Sequence, residues 1–225
     1  MTIESHGHEH EFEPQFGLPE RLPAGERILW QGSPDFAALA RNAFHLRKLA
    51  LYFSVLLVAR AATVFGSGGS AGDTLNAMAW PVLLTVLALA SVTTLAWLTA
   101  RTAVYTVTDQ RVVMRIGIVL TLTFNLPLRS IESAALRAGS GGCGDIVLKL
   151  AGSDRIAWLH LWPHARPWRL ANPEPSLRCV PEAASVAATL AQAWSGATGV
   201  TAVPADTTAA DAGHTRQPLW QPSPT

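Results

Sequence analysis

Two apolar runs, Leu49 to Phe65 and Met78 to Ala100, constrain this chain more than any other feature. A helix rises about 1.5 Å per residue, so a hydrocarbon core of about 30 Å needs about 20 residues to cross. The second run meets that requirement with no charged side chain between Met78 and Ala100, and the first is shorter and carries Arg60. Gly66 to Ala77 joins them, a Gly/Ser-rich stretch whose one charged residue is Asp73. Two apolar helices with so short a link predict a transmembrane hairpin. A pair of soluble core helices fits less well, because Val82 to Leu98 has no polar stripe of helical period beyond scattered Ser and Thr.

Charge sets the expected orientation. Arg41, Arg47 and Lys48 precede the first span, Arg101 follows the second with Arg111 and Arg115 beyond it, and the connecting loop has no Lys or Arg. The positive-inside rule then puts both termini in the cytoplasm and the loop outside. Met1 to His10 is polar and lacks the apolar centre of a signal peptide, so the first span reads as an anchor. Cys143 and Cys179 fall on the reducing side and read as free thiols. Arg60 lies a turn or two from Gly66, within reach of the outer interface; a buried contact with a helix or partner is the alternative.

The chain divides on this reading into an N-terminal segment 1–45, the hairpin 46–100, a compact domain 101–195 and a disordered tail 196–225. Leu18 to Asp35 is too short to fold alone and is expected to dock elsewhere; Phe36 to Lys48 reads as an interfacial helix entering the first span. Beyond Arg101 the period changes. Val104 to Thr108 and Arg111 to Ile116 are β-branched runs around a Thr108-Asp109-Gln110 turn. Leu120, Leu122, Phe124 and Leu126 alternate with polar residues as in a half-buried strand. Another strand is expected near Ile131 to Leu136. Asp145 to Leu150 and Arg155 to Trp162 read as a hairpin across Gly152-Ser153-Asp154. Pro181 to Trp194 reads as a helix with Val186, Leu190 and Trp194 on one stripe. Six or seven antiparallel strands closed by that helix make a small β-sandwich or open barrel, so the fold class is membrane α + β.

Function classes narrow by elimination. Seventeen Lys and Arg against 16 Asp and Glu leave a net charge of +1 and no long basic run, so nucleic acid is not a partner. The Gly-rich loop Ala138 to Gly144 lacks the Lys-Ser/Thr ending of a phosphate-binding loop. No Ser/His/Asp, Cys/His or paired-carboxylate arrangement has supporting context, so no catalytic residue, cofactor or metal is expected. His6, His8 and His10 alternate in a tail that builds no site, and Pro163 breaks any helix carrying His160 and His164. The unusual cluster is Trp158, Trp162, His164, Arg166, Trp168 and Arg169. Strand alternation would turn Trp158, His160 and Trp162 outward and Ala157, Leu159 and Leu161 inward. Either the Pro-rich segment that follows covers those rings, with Arg stacked on Trp, or a partner or membrane surface does. Its three Trp and two Arg, Trp158, Trp162, Arg166, Trp168 and Arg169, are the candidate partner-binding site.

The run Tyr105-Thr-Val-Thr-Asp-Gln-Arg-Val-Val-Met-Arg-Ile-Gly, then Leu126-Pro-Leu-Arg-Ser-Ile, resembles the bacterial PH-like domains that follow membrane hairpins. Leu22-Pro-Ala-Gly-Glu-Arg-Ile-Leu-Trp-Gln-Gly-Ser-Pro looks like their lead-in segment. That resemblance implies a PH-like β-sandwich or barrel capped by a C-terminal helix. A second likeness covers about residues 11 to 194. Glu11-Phe-Glu-Pro, Gly17-Leu-Pro-Glu, Trp30-Gln-Gly-Ser-Pro-Asp, Leu159-His-Leu-Trp-Pro-His-Ala-Arg-Pro-Trp-Arg-Leu and Pro173-Glu-Pro resemble the photosynthetic-complex assembly proteins of purple phototrophic bacteria. It implies a non-enzymatic, multi-pass factor of the inner (intracytoplasmic) membrane. Its implied partners are reaction-centre or core antenna subunits and other assembly factors, with homodimerisation left open. A general membrane-anchored PH-like scaffold or sensor is the rival reading. A membrane enzyme is a third, and it would need titratable residues converging near the bilayer.

Overall fold

The computed structural model describes residues 17–151, 156–166, 173–200 and 217–220. The described chain falls into two units, residues 36–98 and the remainder.

The first unit is helical: α1 (Phe36–Asn42), α2 (Leu46–Gly66) and α3 (Ala71–Thr102), the last running on into the second unit. The expected interfacial helix is interrupted at 43–45, where His45 takes a positive φ of 52°. The link between the spans is also shorter than Gly66 to Ala77. Ser70 caps α3: its Oγ accepts the Asp73 amide at 3.2 Å, and Asp73 Oδ2 accepts the Ser70 amide at 2.9 Å. That reciprocal Ser-x-x-Asp cap lets the helix start at Ala71, inside the stretch read as loop. At about 1.5 Å per residue, the 21 residues of α2 and the 32 of α3 are each long enough to cross a bilayer. None of the most apolar window of α2, and 11% of that of α3, is buried. Leu51, Val58, Leu83 and Leu87 are among the large apolar side chains left exposed.

Among the described residues, the second unit has two antiparallel four-stranded sheets, a closing helix and short helical turns. One sheet has the order β1 (Ile28–Gly32), β2 (Val104–Thr108), β3 (Arg111–Ile116), β4 (Leu122–Pro127). The other has the order β7 (Ser176–Val180), β6 (Gly144–Leu150), β5 (Ile131–Ala138), β8 (Gln217–Trp220). Tyr105, Val107, Val112 and Met114 from the first sheet meet Ile131, Ile146, Leu148 and Leu177 from the second in one core. The closing helix spans Ala183–Thr198 and drives Val186, Leu190 and Trp194 into that core. Trp194 donates its indole N–H to the Ile131 carbonyl at 3.0 Å. The helical stripe and the alternating strands of the sequence are therefore present.

The domain boundaries differ from those read in the sequence. β1 precedes the helices and pairs with β2, which follows them, through Gln31↔Thr106 and Gly32↔Tyr105. The lead-in segment thus supplies the first strand of the domain instead of standing apart. Glu26 fastens it, accepting Arg111 Nε at 2.9 Å and Arg111 Nη2 at 3.0 Å. The same carboxylate accepts the Thr108 hydroxyl at 2.7 Å. This bidentate pair at the β2–β3 turn gives the Glu26-Arg27 step of the lead-in a physical role. At the other end, Gln217–Trp220 of the tail pairs with β5 through Leu136↔Gln217, so the tail is not wholly without structure. The alternation in the third strand begins at Leu122, and Leu120 stands exposed before it.

Candidate functional site

The connection between β6 and β7 carries the aromatic and basic cluster, and it is not a strand. Trp158–Leu161 forms one helical turn, α4, with Trp162 N–H on the Trp158 carbonyl at 3.0 Å. Spacing of three therefore replaces spacing of two. Leu161 is fully buried and Trp158 packs partly buried against the core, while Leu159 is 76% and Trp162 49% exposed. The expected outward set is corrected accordingly: Trp158 turns in, Leu159 turns out, and Trp162 stays out. A Pro at 163, joined by a cis peptide to Trp162, ends the turn. The alternation that suggested a strand reads equally as i, i+3 pairs over so short a run.

A buried polar network holds this connection to the sheets. Tyr105, fully buried on β2, accepts the Arg178 amide at 3.2 Å, and its hydroxyl lies 2.5 Å from His164 Nδ1. With the phenol donating, the imidazole proton sits on Nε2. Arg178 on β7 places Nε 3.2 Å from Asp145 Oδ2, an ion pair by distance, and Asp145 Oδ1 accepts the Cys179 amide at 2.8 Å. Arg166 pairs with Glu174, and main-chain bonds from Arg166 N–H to Glu174 O and from Ser176 N–H to His164 O zip the segment together. Burial keeps these groups uncharged where they have no partner. It lowers the His164 imidazole to about 3, with the Arg178 charge adding to the effect. It raises the Tyr105 phenol well above its ordinary range and pushes the Cys179 thiol up to about 12. A neutral imidazole without access to solvent, a protonated phenol and a protonated thiol brace a fold; they do not form an activated nucleophile.

The predicted site residues now have places. Trp158 belongs to the core edge and Arg166 to a part-buried ion pair. Trp162 is presented outward, and Trp168 and Arg169 lie outside the described residues. His160 is exposed while His164 is buried against Tyr105, so the two share no site. Sequence reasoning missed Leu159, because it assigned the wrong period. It also missed the Arg178–Asp145 pair, although an Arg centred in the apolar strand Ser176-Leu-Arg-Cys-Val is a readable sign of a buried partner. Among the described residues, the buried side-chain atoms without a hydrogen-bond partner are Trp158 Nε1, His164 Nε2, Arg166 Nε, Ser176 Oγ and Arg178 Nε. All five lie on this connection or on β7, so among the described residues this region is the least completely satisfied. Leu159 and Trp162, three residues apart, are the large apolar side chains this stretch leaves exposed.

Three comparisons bear on this arrangement. The bacterial PH domain family matches residues 52–194. A Rhodobacter capsulatus protein, described as an uncharacterized 23.7 kDa protein in the puhA 5' region, is 40% identical over 187 residues, which cover 83% of this chain and 87% of that one. No solved structure matches.

Proposed function

From its membership of the bacterial PH domain family, to which this chain belongs, we propose that it is a non-enzymatic, PuhB-type assembly factor for the photosynthetic reaction centre and its core antenna. One observation carries the photosynthetic part: 40% identity over 83% of the chain to a protein named for its position in the puhA 5' region. That position agrees with the resemblance of Leu159 to Leu170 and Pro173 to Pro175 to purple-bacterial assembly proteins. Helices α2 and α3 span the inner membrane as a hairpin, with both termini cytoplasmic, on the strength of their length, their unburied apolar surface and the Arg/Lys asymmetry. The β domain then works at the cytoplasmic face and binds a nascent subunit through Leu159, Trp162 and the adjoining segment that holds Trp168 and Arg169. Confining the factor and its membrane-borne client to one surface raises their effective concentration without new contacts.

Affinity purification of the tagged chain from cells making the photosystem tests this. Reaction-centre or core antenna subunits are expected in the eluate, at levels well above those from a strain carrying only the tag. Recovery of the chain with no photosynthetic subunit, under conditions that preserve other membrane complexes, favours the general scaffold or sensor.

A further inference from the structure

The two ends of the first sheet differ in chemistry. Its β2–β3 turn is polar, Asp109-Gln110. Its β3–β4 turn, Gly117 to Thr121, carries Ile118, Val119 and Leu120, which are 37%, 97% and 74% exposed. The turn is built, not frayed. Gly117 has φ 123°, and a Cβ there would stand 2.0 Å from the Leu120 carbonyl oxygen, so the tight loop needs glycine. The register Ile116↔Leu122 closes its base.

Register also says which end of the sheet this is. Val104 pairs with Arg115, so the apolar turn lies beyond the start of β2. Only Ala103 separates that start from the last residue of α3, Thr102. The chain also leaves for α1 from this end, because Gly32 pairs with Tyr105 and α1 begins at Phe36. Both covalent links to the helical unit therefore emerge beside the apolar turn, and the polar turn is at the far end. The apolar run of α3 stops at Ala100 and the exposed Arg101 follows. Ile118, Val119 and Leu120 lie past Ile116, the last residue of β3, and so beyond this end of the strand. Exposed apolar side chains of this kind are stabilised by entering the headgroup–acyl boundary of a bilayer.

We propose that Ile118, Val119 and Leu120 form a lipid-inserting tip that seats the β domain on the bilayer next to its own anchor. The proposal rests on the reading of α2 and α3 as membrane spans. The tip recognises no particular lipid; it buries apolar surface in the interface, and the short link from α3 holds it there.

Full-length protein with Cys143→Ser is labelled with an environment-sensitive fluorophore at Val119→Cys, at Val58→Cys in α2, or at Asp109→Cys. Cys179 is buried and escapes the dye. Each is reconstituted in phosphatidylethanolamine–phosphatidylglycerol vesicles, with or without lipids brominated near the carbonyl end of the acyl chain. The Val119 label is expected to be blue-shifted and to lose most of its emission to the brominated lipid, while the Asp109 label is unaffected. Quenching of the Val58 label by brominated lipid of any depth reports the membrane reading separately. A quenched Val58 label beside an unquenched Val119 label overturns the tip and spares the spans; an unquenched Val58 label overturns both. A Val119 label that is blue-shifted in vesicles but untouched by brominated lipid shows that protein covers the tip, and also overturns the proposal.

Discussion

Leu190→Asp is expected to abolish cooperative folding of the β domain, and Ala188→Asp, two residues earlier on the exposed face of the same helix, to leave it intact. Leu190 is fully buried and Ala188 is exposed. Removing the leucine from the core forfeits roughly 1.5–3 kcal/mol of apolar burial. Placing a carboxylate inside this apolar cluster adds several kcal/mol, because the buried charge loses its hydration. The sum is comparable to the whole stability of a small domain, about 5–15 kcal/mol. The purified variant is expected to lose its near-ultraviolet circular dichroism and its thermal transition, and to be digested rapidly by protease. A transition within a few degrees of the parent's would contradict the packing of the closing helix.

Leu159→Ser combined with Trp162→Ala is expected to have the opposite signature, a protein that folds but loses the proposed partner. Leu159 is largely exposed and Trp162 half exposed, so their loss removes far less from the core than Leu190→Asp does, and the thermal transition is expected to move by a few degrees at most. At an interface the same pair would sit at its centre. Trp is among the residues that most often cost 2 kcal/mol or more when truncated, and a buried Leu adds to that. A combined loss of about 2.8 kcal/mol is a hundredfold in affinity. Co-purified photosynthetic subunits should therefore fall to near background while the variant accumulates to the parental level. Full co-purification by a normally accumulating variant would remove this surface from the binding site.

Much of the β domain was legible because its strands and closing helix each have one buried face. Val186, Leu190 and Trp194 had a helical period, and Val104 to Ile116 had β-branched runs around a polar turn. What escaped was set by tertiary context. Nothing local to Ile28–Gly32 says that its partner strand lies beyond two long helices, because strand pairing is a long-range choice. The turn at Trp158–Leu161 was misread because four residues satisfy periods of two and three alike. Its true setting depends on the residues just beyond it, where Tyr105 and Arg178 from two other strands hold His164 and Ala165. The outward Trp162 was anticipated and the outward Leu159 was not. The exposed Ile118-Val119-Leu120 turn was read in part as strand, since hydrophobicity alone does not distinguish a buried strand start from an apolar loop tip.

Reaction-centre absorbance in a strain lacking this gene, measured beside the same strain carrying the gene on a plasmid, tests the central claim most directly. An assembly factor is not a component of the finished complex or of pigment synthesis. The deletion should therefore lower the near-infrared absorbance of the reaction centre and core antenna several-fold, leave free bacteriochlorophyll synthesis in place, and be reversed by the plasmid copy. Undiminished reaction-centre absorbance in the deletion strain, grown under conditions that induce the photosystem, would contradict the account.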